Sequence, residues 1–266
     1  MGFLCGYEDL GADIRRQIDR TVRVWQEQVG ENLVGVYLHG SIALKAFCPQ
    51  SGDVDLLIVL RENLSAQERL AVARRIIKLD QCPRPLEMSA ILLCDAQAWK
   101  TPGRCVFHYS DFWTERYLKR LADPSAECFV VDHDFPDADV TGYIRLLRQC
   151  GLTLCGAPIR EVFGEISDED FWAALTADVD DYDFHACAPR YLASNVLILG
   201  RILSFKEKRH ILSKYEAGLW MIGRVPAALA FLPRNAMKIW FGGSEAELPE
   251  DGLAQLRGYL IGEIKK

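Results

Sequence analysis

Val36-Tyr37-Leu38-His39-Gly40-Ser41 and, after a short spacer, Asp53-Val54-Asp55-Leu56-Leu57-Ile58-Val59 decide how this chain folds. The apolar run 33–39 reads as a buried strand that ends in a turn at Gly40-Ser41. A second strand opens at Asp53. Strand side chains alternate between faces, so Asp53 and Asp55 share one, about 6–7 Å apart at Cα, while Val54 points the other way. Two carboxylates so placed repel unless a cation lies between them, and oxygen-only donors favour Mg²⁺. The Gly-Ser turn beside them offers backbone N–H groups and a hydroxyl to phosphate oxygens. Metal and phosphate cradle together imply nucleotidyl-transfer chemistry.

Working outward, residues 8–29 carry Leu10, Ile14, Ile18, Val22 and Trp25 at helical spacing, an amphipathic helix expected on the first strand. A short helix should follow Gly40-Ser41. Ser65 and Glu68 form a capping box that starts a helix over 65–79. A strand over 86–93 follows Cys82-Pro83-Arg84-Pro85 and carries a third acid, Glu87, amid apolar neighbours. An ionised acid there is costly unless paired or metal-bound. Residues 1–95 thus predict helices on a small mixed sheet. Beyond residue 110 the strand signals fade, and helical patterns cover 111–122, 137–151, 168–180, 190–206, 214–223, 225–241 and 250–264. The boundary is expected in the acidic, proline-containing stretch, near 125–155. The fold expected is an α+β domain over 1–150, with a small mixed sheet and helices, followed by an all-α helical bundle over 151–266.

Of the 266 residues half are apolar, enough for two modest cores. The net charge of −6 argues against non-specific nucleic-acid binding, which depends on phosphate neutralisation. No apolar run reaches membrane-spanning length and no basic-then-apolar leader is visible, so neither nucleic acid nor membrane is an expected partner. The nine cysteines are scattered without a Cys-x-x-Cys pair, as in a reduced, cytoplasmic protein. The five histidines lack metal-ligand spacing, which argues against zinc. No long apolar stripe is left over, and a monomer is expected.

The order Gly40-Ser41, Asp53-Val54-Asp55, Glu87 resembles the signature of the polymerase-β-type nucleotidyltransferases. The resemblance extends to the aminoglycoside 3''- and 9-adenylyltransferases. Arg84-Pro85-Leu86-Glu87 looks like their third-acid motif, and His108-Tyr109-Ser110-Asp111-Phe112-Trp113 like the segment after it. Gly151 to Phe163 is similar to the stretch that opens their helical domain, and Arg201-Ile202-Leu203 and Ile211 to Trp220 to their later helices. It covers most of residues 30–225. It implies transfer of AMP from ATP to a hydroxyl of spectinomycin or streptomycin, conferring antibiotic resistance. Asp53 and Asp55 would hold Mg²⁺, and Glu87 would be the general base. Gly40, Ser41, Arg201 and Lys214 would bind the nucleotide, and Asp111, Trp113 and Glu87 the drug. The chain departs from the pattern in three places. Gly52 precedes Asp53 where relatives often have Ser. The spacer before Asp53 is one residue longer than in some of them. The stretch 185–191 lacks an acid that some place there for streptomycin, with Asp181 and Asp183 nearby.

Read on their own, these residues keep alternatives open. Lys214 falls at the first position of a helix capped by Ser213 and Glu216, where a cation opposes the helix dipole unless an anion docks there. Arg201 lies in a very apolar helix and needs an anionic partner, either a phosphate or a structural acid. Trp113 either offers an aromatic face to a polycationic sugar or belongs to the core. Trp240 and Phe241 read as bundle core, and His39 as a hydrogen-bonded residue at the strand end. A nucleotidyltransferase acting on a protein or tRNA end is the alternative enzyme, disfavoured by the acidic balance. A silent, antitoxin-like module is disfavoured by the three intact acids.

Overall fold

The computed structural model describes residues 4–177, 179–182, 184, 188–243 and 245–266. The chain forms two compact units, one of Cys5–Phe47 and Gly52–Ala174, the other of Leu175–Lys266 with Cys48–Ser51 and Leu4.

The first unit is built on strands β1 (Leu33–Leu38), β2 (Val54–Leu60), β3 (Leu86–Leu92), β4 (Gly103–Cys105), β5 (Phe107–Tyr109), β6 (Phe135–Asp137) and β7 (Leu152–Gly156). Five form a sheet in the order β5-β3-β2-β1-β7, and β4 pairs with β6. Only β2 and β3 run parallel, so the main sheet is mixed, as expected. Its central strands are apolar on both faces because both are covered. Val36, Leu38, Leu56, Ile58, Met88 and Ala90 share a core with Ile14, Ile18 and Trp25 of α1 (Ala12–Val29). After the short α2 (Gly40–Ala43) and β2, α3 (Ala66–Ile76) adds Val72 and Ile76 to that core. Ser65 caps α3 and Glu68 completes the box. The short helices α4 (Leu93–Gln97), α5 (Thr114–Ala122) and α6 (Phe129–Asp132) precede α7 (Asp139–Cys150) and α8 (Ile159–Val162). On the opposite face, Tyr37 packs edge-on against Phe163, centroids 4.8 Å apart, and its hydroxyl donates to the Ala157 carbonyl.

The units part at Ala174/Leu175 and not at 150/151. Residues 152–156, expected to open the helical domain, instead form β7 on the free edge of β1. Gly156 permits this closeness: its φ is 90°, and a Cβ there would lie 2.0 Å from the Val34 carbonyl oxygen. Strand structure also persists past residue 110 in β6.

In the second unit α9 (Asp168–Ala177), whose first residues belong to the sheet unit, leads to α10 (Pro189–Lys208), α11 (Lys214–Ile222), α12 (Phe231–Gly242) and α13 (Glu250–Lys265). This is the expected helical bundle. Helix α10 is apolar nearly all round, from Ala193 to Phe205, as a central bundle helix must be. Among the described residues, no helix is long and apolar enough to cross a membrane.

Candidate active site

Asp55 and Glu87 stand directly opposite each other in the parallel β2–β3 register, so their side chains leave the same face of the sheet. The Arg84-Pro85-Leu86-Glu87 segment fixes this register. Arg84 Nε donates to the Gly52 carbonyl at 2.8 Å, and the Val54 N–H donates to the Pro85 carbonyl at 2.9 Å. Buried Gln17 of α1 holds the same segment, its amide donating to the carbonyls of Leu79 and Arg84. Asp53, immediately before β2, is thereby pinned on both sides.

The Gly-Ser turn closes against these acids. The His39 N–H donates to the Asp55 carbonyl at 3.1 Å. Gly40 has a φ of 65°, and a Cβ there would lie 1.7 Å from Asp55 Oδ2. Glycine is therefore demanded twice, by backbone and by space. Gly40→Ala should push the Asp55 carboxylate aside and force a left-handed alanine. Left-handed strain alone is roughly 1–2 kcal/mol, which for a unit of this size lowers the melting temperature by about 2–4 °C or more. A thermal melt paired with a turnover assay checks this, turnover falling further than stability.

Three neighbours were invisible in the sequence. The Tyr143 hydroxyl, from α7, donates to Glu87 Oε1 at 3.2 Å. Asp137 and Asp139 lie close enough to oppose ionisation of Glu87. Burial pushes the Glu87 carboxyl up, the Asp53 charge pushes it further, and the Tyr143 hydrogen bond pulls it back, leaving it at about 7. Burial also raises Asp137, partly offset by the N–H groups of Asp139 and Val140. The sequence reading placed this stretch at a domain boundary. Its one local signal was a pair of acids at a helix start, where carboxylates are common for structural reasons.

His39 is buried, and its ring stacks on Tyr143 with centroids 4.4 Å apart. Its Nε2 has no partner among the described residues, so the expected hydrogen-bonded strand end is only half realised. Burial drives the imidazole down to about 3, against a hydrogen bond to the Leu56 backbone, and the ring is neutral. One step along the same face, Ser89 Oγ and His108 Nδ1 are 3.0 Å apart. Among the described residues, no three His, Cys, Asp or Glu side chains gather to hold a metal ion by themselves.

Asp111 and Trp113 form a single turn after β5, which ends beside Met88, so they leave the sheet at its Glu87 end. Asp111 is exposed. Trp113 is half-buried against the core, and Arg116 lies 4.8 Å over its ring and 4.7 Å over that of Phe112.

In the helical unit the capping box is present: Ser213 accepts from the Glu216 N–H at 3.1 Å, and Lys214 is the first residue of α11. Lys214 Nζ donates to Ser194 Oγ at 2.9 Å and sits 3.7 Å from the centroid of Trp240. Arg190 covers the same ring at 4.8 Å. Trp240, read as core, is thus a half-buried platform between two cations, whereas Phe241 is core. Arg201 Nε donates to the Leu212 carbonyl at 2.9 Å, which places Arg201 beside the start of α11 with Lys214. Ser51 is buried, and its hydroxyl donates to the Trp240 carbonyl. Asp181 is exposed, while Asp183 and residues 185–187 lie outside the described residues.

Residues 161–261 match the family described as aminoglycoside adenylyltransferase, C-terminal domain. The spectinomycin 9-adenylyltransferase of Campylobacter jejuni is 23% identical over 265 residues, covering 94% of this chain and 95% of that protein. The spectinomycin 9-adenylyltransferase of Staphylococcus aureus is 27% identical over 109 residues, 39% of this chain and 42% of that one. The fold is shared with a crystal structure of spectinomycin adenyltransferase AAD(9) from Enterococcus faecialis with ATP and spectinomycin. That match has a TM-score of 0.82 at 18% identity and covers 95% of this chain and 99% of that one. Residues 161–261 are thus similar to the C-terminal domain of the aminoglycoside adenylyltransferases, the family that the motifs from Gly40 to Glu87 resemble.

Proposed function

We propose that this chain is an adenylyltransferase that moves AMP from ATP to a hydroxyl of an aminocyclitol or aminoglycoside antibiotic. Spectinomycin is the first candidate and streptomycin the second, and resistance is the role. The observation that carries this reading is the in-register pair of Asp55 and Glu87, with Asp53 beside them and Gly40 closed over Asp55. The spectinomycin 9-adenylyltransferase that matches along nearly the whole chain supports the choice of drug.

Glu87 is the general base. Its carboxyl, near 7, takes the proton from the attacking drug hydroxyl at neutral pH. The hydroxyl oxygen then attacks the α-phosphorus of ATP, and pyrophosphate leaves. Asp53 and Asp55 would hold Mg²⁺, and their chemistry fits: Mg²⁺ is usually bound by one or two carboxylates, with phosphate oxygens and water completing its shell. When bound, the ion neutralises charge on the phosphates. Gly40 and Ser41 are assigned to the phosphates on the sheet unit, and Arg201 and Lys214 on the helical unit. Asp111 and Trp113 are assigned to the cationic drug. The protein is read as a cytoplasmic monomer.

The test is pyrophosphate release across a panel of aminoglycosides, with and without Mg²⁺. Release that needs both ATP and spectinomycin or streptomycin is expected; release indifferent to any drug contradicts the reading.

Two further results are expected. A base must be ionised to work, so kcat/KM should climb with pH along a limb that lies above an ordinary glutamate's and no higher than about 7. A pH profile below saturation reads this limb, and Mg²⁺ at the site would move it downward. Lys214→Ala should weaken ATP binding by about tenfold or more, the loss of a charged contact of roughly 1.5–3 kcal/mol. Calorimetric titration with ATP measures it.

A further inference from the structure

Glu87 ends in a carboxylate whose terminal torsion is broad and only weakly self-determined. A base that acts on one particular hydroxyl needs one oxygen aimed and the other held. Tyr143 supplies the hold: its hydroxyl donates to Oε1 at 3.2 Å, which leaves Oε2 for the acceptor. Burial among Glu87, Asp139, Asp137 and Asp55 keeps the Tyr143 proton on its oxygen, so it remains a donor. The Tyr143 ring is held in turn by the His39 ring, stacked at 4.4 Å with an interplanar angle of 22°. His39 is the residue before Gly40, and its own N–H holds the Asp55 carbonyl. One helix, α7, is thus tied through a single side chain to the end of β1, and so to Asp55, and to the base on β3.

We propose that Tyr143 is the positioning residue of the Glu87 base, fixing one carboxylate oxygen so that the other faces the acceptor hydroxyl, and that the stacked His39 ring keeps Tyr143 in place. This rests on the reading of Glu87 as base. It assigns a use to a histidine that is almost wholly buried, 4% exposed, with a ring nitrogen that has no partner among the described residues. A side chain kept there for its flat face accounts for a ring that fills only one of its two nitrogens.

The experiment is a set of variants assayed with ATP, Mg²⁺ and spectinomycin. Tyr143→Phe removes one oxygen and retains the stack. Its kcat should fall by about 10- to 100-fold, the cost of a misaimed group, with KM for ATP and drug little changed and the melting temperature preserved. In the Glu87→Gln background the same change should have no further effect, because a positioning residue acts only through its base. A purely structural role would lower both backgrounds alike. His39→Ala should reproduce the kcat loss, and the double variant with Tyr143→Phe should lose less than the product of the two. If Tyr143→Phe proves unstable, His39→Ala reads the same linkage from its other end. Wild-type kcat in Tyr143→Phe, with Glu87→Gln inactive, overturns the positioning role and leaves the base standing. Wild-type kcat in Glu87→Gln overturns the base itself. Losses that multiply in the double variant overturn the link to His39.

Discussion

Asp55→Asn should reduce adenylyl transfer by at least about a thousandfold while leaving the protein folded, and Asp53→Asn should do the same. In phosphoryl-type chemistry nearly all the acceleration comes from positioning and charge stabilisation, so a lost anchoring carboxylate is felt almost in full. Asparagine keeps the volume against Gly40, where the fit to Asp55 Oδ2 leaves no slack. It keeps the β2–β3 register too, because that register is made by the backbone and by Arg84. The expected signature is therefore an unchanged melting temperature with turnover close to background at saturating Mg²⁺. Turnover within tenfold of wild type in either variant would remove the pair from the chemistry.

Glu87→Gln should lose about 10²- to 10⁴-fold in kcat, the span of general-base contributions, with Mg²⁺–ATP affinity unchanged. If Glu87 were a metal ligand, calorimetry would show that affinity fall instead. The same substitution carries a stability signature of definite sign. The folded carboxyl sits at about 7, above the ordinary 4.5. Between those two values the folded state binds more protons than the unfolded state, so wild-type stability is lost as pH rises through that window. Glutamine cannot ionise and escapes the loss. Without Mg²⁺, the variant should melt at a higher temperature than wild type at pH 8 and show no such gain at pH 4. A variant that is both less active and more stable is what a strained catalytic carboxylate produces.

The placement of the three acids was legible because it rests on short-range rules. Strand alternation put Asp53 and Asp55 on one face, and the next strand brought Glu87 beside them. The capping boxes at Ser65–Glu68 and Ser213–Glu216 were legible for the same reason, since four consecutive residues determine them. Tyr143, Asp137 and Asp139 were not, because what makes them part of the site is the packing of α7 on the sheet, some fifty residues from Glu87. Strand β7 was hidden by its surroundings. Leu152–Gly156 is a short, half-exposed edge strand with too few residues to show a period, flanked by patterns that read as helix. Missing it moved the boundary from 174 to 150. Trp240, read as bundle core, is half-buried, and the cations covering it come from other parts of the unit.

The central claim is that this acid cluster transfers AMP to an antibiotic hydroxyl. The mass of the drug after incubation with protein, ATP and Mg²⁺ tests it most directly. Spectinomycin or streptomycin should return heavier by one adenylyl group, with wild-type protein and not with Asp55→Asn. An unmodified drug beside folded wild-type protein, or equal modification by the Asp55→Asn variant, would contradict the account.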